Sequence, residues 1–213
     1  MLQIKQFTFS PMAENTYVLY NEERLGCIID PGCYTRQEMQ ILEEFIKNKG
    51  ITITHILLTH AHLDHVFGLD GVSKTYGLAP WMHPKEEPVL VHGPKMAVMY
   101  GMSFPAYTGD FHKLKEGDAV LFGGDKLEVI YAPGHSPGHV CYYCRHQDFL
   151  IGGDVLFQRS IGRTDLPLGD HETLIHSIRE KLFVLQEKTI VHPGHGASTT
   201  IGEEKLFNPF VAG

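Results

Sequence analysis

Four short polar segments constrain this 213-residue chain most strongly, because each directly follows an apolar run. "THAHLDH" (Thr59 to His65) follows Ile53 to Leu58, and "PGHSPGH" (Pro133 to His139) follows Leu127 to Ala132. "GGD" (Gly152 to Asp154) follows Phe149 to Ile151, and "PGHG" (Pro193 to Gly196) follows Thr189 to His192. Short apolar runs closed by Gly and Pro read as buried strands. Loops gathered at one edge of a rigid sheet are where binding residues concentrate. Each of these four carries His or Asp at the carboxyl end of its strand.

The remaining elements fit around that edge. Strands are expected at Gln3 to Phe9, Thr16 to Tyr20 and Cys27 to Ile29, closed by "DPG" at Asp30 to Gly32. Thr35 and Glu38 make a capping box for a helix with Met39, Leu42, Phe45 and Ile46 on its apolar stripe, ended by Gly50. A second helix is expected from about Asp64 to Tyr76, then a short strand at Pro80 to Met82. Residues 84 to 108 give no clear period. Strands return at Ala119 to Phe122 and Val140 to Cys144. A helix from Asp170 to Phe183 has Asp170 as N-cap, and Thr200 with Glu203 forms a second capping box before a short terminal helix. Two sheets packed face to face with helices outside satisfy this order in a single domain over residues 1–213.

Composition narrows the function classes. The net charge of −7 and the absence of a basic stripe argue against a nucleic-acid partner. No window reaches the roughly 18 apolar residues of a membrane span, and the amino terminus lacks a secretory pattern. A cytoplasmic protein with a small-molecule substrate is expected; homo-oligomerisation stays open. Four scattered cysteines fit a reducing compartment. Cys141 and Cys144 lie in a strand, where residues three apart point to opposite faces, so ordinary packing is expected of them.

Histidine is the unusual residue, at 14 copies. His60 and His62 are two apart and project to one side of an extended chain. Asp64 and His65 follow where the chain turns, so one loop can serve two neighbouring ions. Imidazole and carboxylate suit zinc, and also iron or manganese. The lack of cysteine among these residues argues against a closed structural zinc site. His55, His83, His92, His112, His146, His171, His176 and His192 have no motif context, and packing or surface roles are expected for them.

Together "THAHLDH", "PGHSPGH", "GGD", "PGHG" and the early "IDPG" resemble, in order, the signature of the metallo-β-lactamase superfamily. The resemblance implies a four-layer αβ/βα sandwich of two mixed sheets with a two-metal cleft along one edge. Residue by residue it implies one site of His60, His62 and His135, a second of Asp64, His65 and His195, and Asp154 as the bridging carboxylate. Asp30 and His139 would brace the loops. Two divalent ions, zinc by expectation, would activate a water for attack on a carbonyl, with Asp64 orienting that water.

"GRTD" at Gly162 to Asp165 and the terminal "TTIGEEKLFNPF" resemble the glyoxalase II-like branch, which implies a thioesterase. Arg163 and Asp165 would brace one another and the loop after Asp154. The chain leaves no room after His195 for the helical domain with which full-length glyoxalase II holds glutathione, so a small thioester is the expected substrate. Persulfide dioxygenases share these motifs and use one iron, chiefly through residues matching His60, His135 and Asp154; they are the alternative. A lactonase and a metal-stabilised binding protein rank lower. The segment Met96 to Tyr107 is either a pocket wall or packing.

Overall fold

The computed structural model describes residues 1–211. Its first half forms strands β1 (Gln3–Phe9), β2 (Glu14–Tyr20), β3 (Leu25–Ile29), β4 (Thr52–Leu57), β5 (Pro80–Met82) and β6 (His112–Lys113), joined in that order in one sheet. Helices α1 (Arg36–Lys49), α2 (Leu69–Tyr76) and α3 (Glu87–Met99) connect the later strands. The first three strands pair antiparallel and β3 to β6 pair parallel.

The second half repeats the plan with β7 (Ala119–Phe122), β8 (Asp125–Tyr131), β9 (Val140–Cys144), β10 (Phe149–Gly153), a hairpin of β11 (Leu156–Phe157) and β12 (Ser160–Ile161), helix α4 (His171–Ser177), β13 (Ile190–Pro193), β14 (Thr199–Thr200) and helix α5 (Ile201–Phe207). Its sheet runs β14-β13-β10-β9-β8-β7. This is the expected four-layer sandwich.

Strand periodicity builds the layers. In β2, Val18 and Tyr20 point to α1 to α3, while Tyr17 and Leu19 enter the space between the sheets. In β9, Val140, Tyr142 and Cys144 face that space, and Cys141 and Tyr143 face α4 and α5. Central strands are therefore apolar on both faces, because both are covered. The two cysteines of the C-x-x-C lie in different layers of core, as their spacing requires.

Two buried tyrosines tie the sheets at their functional edge. Tyr142 Oη donates to the Leu58 carbonyl at 2.7 Å, and Tyr17 Oη donates to the Pro193 carbonyl at 2.7 Å. Each bond crosses from one sheet to the entry of a histidine loop of the other. Tyr142→Phe leaves a buried carbonyl unpaired and is expected to cost about 1–2 kcal/mol, read as a lower denaturant midpoint at unchanged slope.

Three boundaries differ from expectation. Residues Leu63–His65 form a separate 3₁₀ turn, and α2 starts only at Leu69. The Gly68 N–H is held by the distant Pro31 carbonyl at 2.8 Å, which breaks the helical continuation. Beyond Asp170, whose side chain caps Thr173, α4 ends at Ser177 and the chain widens into a π-helical turn over Ile178–Leu182. The capping box at Thr200 is only half made. Thr200 accepts from the Glu203 N–H, but the Glu203 carboxylate pairs with Arg159 at 2.9 Å instead of returning to the cap. The box at Thr35 is complete, and Gly50 closes α1 at φ 63°.

Candidate metal centre

All four polar loops meet at one edge. The first is held from behind by Asp30. One of its oxygens accepts the Thr59 N–H at 2.7 Å, and the other accepts the Thr59 hydroxyl at 2.6 Å and the His65 Nδ1–H at 3.0 Å. The Thr59 hydroxyl, having donated to Asp30, accepts from His60 Nδ1 at 3.0 Å. His135 Nδ1 donates to the Arg163 carbonyl at 2.7 Å, and His195 Nδ1 donates to the Ala13 carbonyl at 3.2 Å. In these four rings Nδ1 is committed outward, which turns Nε2 into the centre.

Two groups of donors result. His60 Nε2 lies 3.2 Å and His62 Nδ1 2.8 Å from His135 Nε2. His195 Nε2 lies 3.1 Å and His65 Nε2 3.9 Å from Asp64 Oδ2. Within each group the donor atoms lie within 4.8 Å of one another. Asp154 stands between them: Oδ1 is 3.4 Å from His65 Nε2, while Oδ2 is 3.5 Å from His135 Nε2 and 3.6 Å from His195 Nε2. Gly194 passes so close that a Cβ there would collide with the Asp154 carboxylate.

Asp30, His60 and His65 also cluster. Both Asp30 oxygens are already taken by Thr59 and His65, so this trio orients the rings from behind.

The electrostatics separate the groups. Burial, then the neighbouring rings, push His60 well below its ordinary value, and burial with His135 beside it takes His62 to about 3. Burial also lowers His135 and His139. These imidazoles are neutral, the form that ligates metal. Burial opposes charge on His65, yet Asp154 and Asp64 carry it well above its usual value, so a cation on Nε2 would displace a proton there. Burial likewise opposes charge on Asp154, and His65, His135 and His195 nonetheless hold its carboxyl far below the carboxylate range.

The donor set fits divalent cations. His65 Nε2 and Asp154 Oδ1 are buried without a hydrogen-bond partner, and lone pairs of His60, His62 and His135 converge on one point. Acceptors facing acceptors are satisfied by a cation, and mixed N/O donors suit zinc, iron or manganese.

The remaining expected residues sit around this core. His139 Nε2 accepts the Asp154 backbone N–H at 3.0 Å, so it positions Asp154 from behind. Arg163 and Asp165 pair at 2.7 and 2.8 Å on the surface, and the part of Arg163 that reaches the centre is its carbonyl.

Two positioning residues escaped sequence reasoning. Asn15 donates to the carbonyls of Pro193 and Gly196 at 3.1 and 2.9 Å, bracketing His195. Buried Glu86, just before α3, accepts the Ala61 N–H at 2.8 Å, the Ser136 hydroxyl at 2.6 Å and the Gly138 N–H at 2.6 Å. It joins the loop of His60 and His62 to the loop of His135. Gly138 has no room for a Cβ, which would lie 2.9 Å from both the Glu86 nitrogen and its Cγ.

Comparison with known proteins agrees with this geometry. The model of the metallo-beta-lactamase superfamily matches residues 10–195. The chain belongs to the metallo-beta-lactamase superfamily. Among its superfamily relatives, the probable metallo-hydrolase YqgX of Bacillus subtilis is 40% identical, covering 98% of this chain and 97% of the relative. Hydroxyacylglutathione hydrolase GloC of Haemophilus influenzae is 36% identical, covering 99% and 98%. The crystal structure of TTHA1623 in a di-iron-bound form superimposes with a TM-score of 0.87 at 36% identity, covering 97% of this chain and 99% of the other. As a member of this superfamily with such a donor set, the chain is a metal-dependent hydrolase. No helix among the described residues is long and apolar enough to cross a membrane.

Proposed function

We propose that the protein is a glyoxalase II-like thioesterase with a dinuclear centre. His60, His62 and His135 would hold one ion, Asp64, His65 and His195 the other, and Asp154 would bridge them. Two divalent ions bound there lower the pKa of a water towards neutrality and polarise a carbonyl.

The observation that carries the thioester reading is where the ring protons are. His60, His65, His135 and His195 commit theirs to Thr59, Asp30, the Arg163 carbonyl and the Ala13 carbonyl. With a cation on each Nε2, none of these four rings would have a proton left for a leaving group. A thiolate, whose conjugate acid has a pKa near ~8.5, departs without that help, whereas an amine does not. Asp64 lines the cavity in front of the centre. Burial would raise its carboxyl, but His65 and His195 hold it below its ordinary value. It stays anionic and accepts a hydrogen bond from the attacking water, which orients it. Support also comes from the relative GloC, which is named a hydroxyacylglutathione hydrolase.

Metal content by mass spectrometry, followed by thiol release from simple acyl thioesters, tests this reading. Two divalent ions per chain with thiol release are expected. One iron per chain with oxygen uptake on a persulfide would replace it with persulfide oxidation. A fully loaded protein that releases no thiol would end it.

A further inference from the structure

A cavity of about 850 Å³ opens onto the centre, with His62, Asp64, His135, Asp154 and His195 in its lining. That volume is ordinary for a small-molecule site. Away from the centre the lining is apolar: Val89 and Met96 of α3, Phe157 and Ile161 of the β11–β12 hairpin, and Leu166 and Leu168 of the loop that follows. Polar side chains away from the centre are few: His92 and Tyr100 on the side of α3, and Ser160 and Arg163 opposite. Arg163 is the one Lys or Arg in the lining, and Asp165 holds its guanidinium through both oxygens at 2.7 and 2.8 Å. The Nδ1 of His92 is taken by the Pro88 carbonyl at 2.7 Å.

Leu168 adds an independent observation. Its φ of 70° lies in the left-handed region, which Gly, Asn and Asp enter readily and leucine does not. Its side chain is 60% exposed, so burial in the free protein does little to offset that strain. Backbone strain of this kind concentrates at ligand sites. An apolar side chain held at a cost, exposed, and lining a cavity that leads to a hydrolytic centre is accounted for by an apolar occupant.

We infer that this wall receives a straight aliphatic acyl arm, and that the preferred substrates are acyl thioesters of roughly six to ten carbons. This rests on the thioesterase reading above. A lactoyl-type arm is too short to fill this apolar wall, which disfavours it. In the reaction the acyl C–S bond breaks and a C–O bond to water forms. The products are an alkanoate and a thiol, one proton of the water staying with the thiol and the other released to solvent.

The test uses metal-loaded protein and two readouts. The first is calorimetric binding of butanoate, hexanoate, octanoate and decanoate. The second is kcat/KM on the N-acetylcysteamine thioesters of acetate, butanoate, hexanoate, octanoate and lactate. Both affinity and kcat/KM are expected to rise about threefold per added methylene up to the octanoyl chain. The octanoyl thioester should exceed the lactoyl one by more than about tenfold. Leu168→Asn relieves the left-handed strain, so its thermal midpoint should not fall below that of the native protein, while the chain-length slope flattens to less than about twofold per methylene. Thioester turnover without a chain-length slope, or faster lactoyl turnover, would overturn the acyl-arm assignment and leave the thioesterase standing. Alkanoate binding that strengthens with length, in a protein that releases no thiol, would keep the apolar wall and remove the thioesterase.

Discussion

Asp154→Ala is expected to reduce bound metal to less than one ion per chain and to lower kcat by about 10³-fold, the scale of losing one centrally placed charged group. The side chain contacts rings of both donor groups, at 3.4 Å to His65, 3.5 Å to His135 and 3.6 Å to His195. In the proposed two-ion centre its loss would remove one negative charge set against four positive ones and leave the two groups without a shared ligand. Asp154→Asn keeps the shape and loses the charge, so it should recover little. Metal stoichiometry by mass spectrometry on dialysed protein checks both variants. Two ions and undiminished turnover in Asp154→Ala would remove Asp154 from its bridging position. The fold should survive, because Asp154 is anchored through its backbone N–H to His139 rather than through the carboxylate.

What could be read in the sequence was what is local. The capping box at Thr35, the Gly50 stop and the paired spacing of His60 and His62 depend on neighbours within four residues. The strands were legible because apolar runs such as "VCYYC" are covered on both faces. What failed depended on distant contacts. The start of α2 is set by a bond between Gly68 and Pro31. Helix α3 was hidden because it buries Leu90, Gly93 and Ala97 while exposing Val91, Val98 and Met99, so no apolar stripe distinguishes it, and Pro94 lies inside it.

The segment after Pro84 accordingly divides. Met96 and Tyr100 line the cavity, while Phe104 and Tyr107 pack against the core beneath α1 to α3. Both alternatives for that stretch apply to different residues of it. Seven of the expected polar residues converge because four strand ends share an edge, and the order of motifs carried that information. The carboxylate that binds two of the loops together was invisible, since its partners are 25, 50 and 52 residues away.

Glu86→Gln tests that carboxylate, and the isosteric change is expected to be costly. Three donors within 2.8 Å fit an ionised acid, although burial pushes its carboxyl up. One oxygen faces the Ala61 N–H and the other faces the Gly138 N–H and the Ser136 hydroxyl. In either orientation the amide NH₂ of glutamine meets a backbone N–H, donor against donor, in a site closed to water. At best three charge-assisted bonds become two neutral bonds and one repulsive contact, which should cost about 2–4 kcal/mol in denaturant unfolding. Because Ala61 lies between His60 and His62, and Ser136 and Gly138 follow His135, the same change loosens the three-histidine group. Metal affinity, measured by chelator competition on folded protein, should fall about 10–100-fold. A scaffold role alone would lower the denaturant midpoint and leave the affinity of the folded molecules unchanged, and that result would reduce Glu86 to a packing residue.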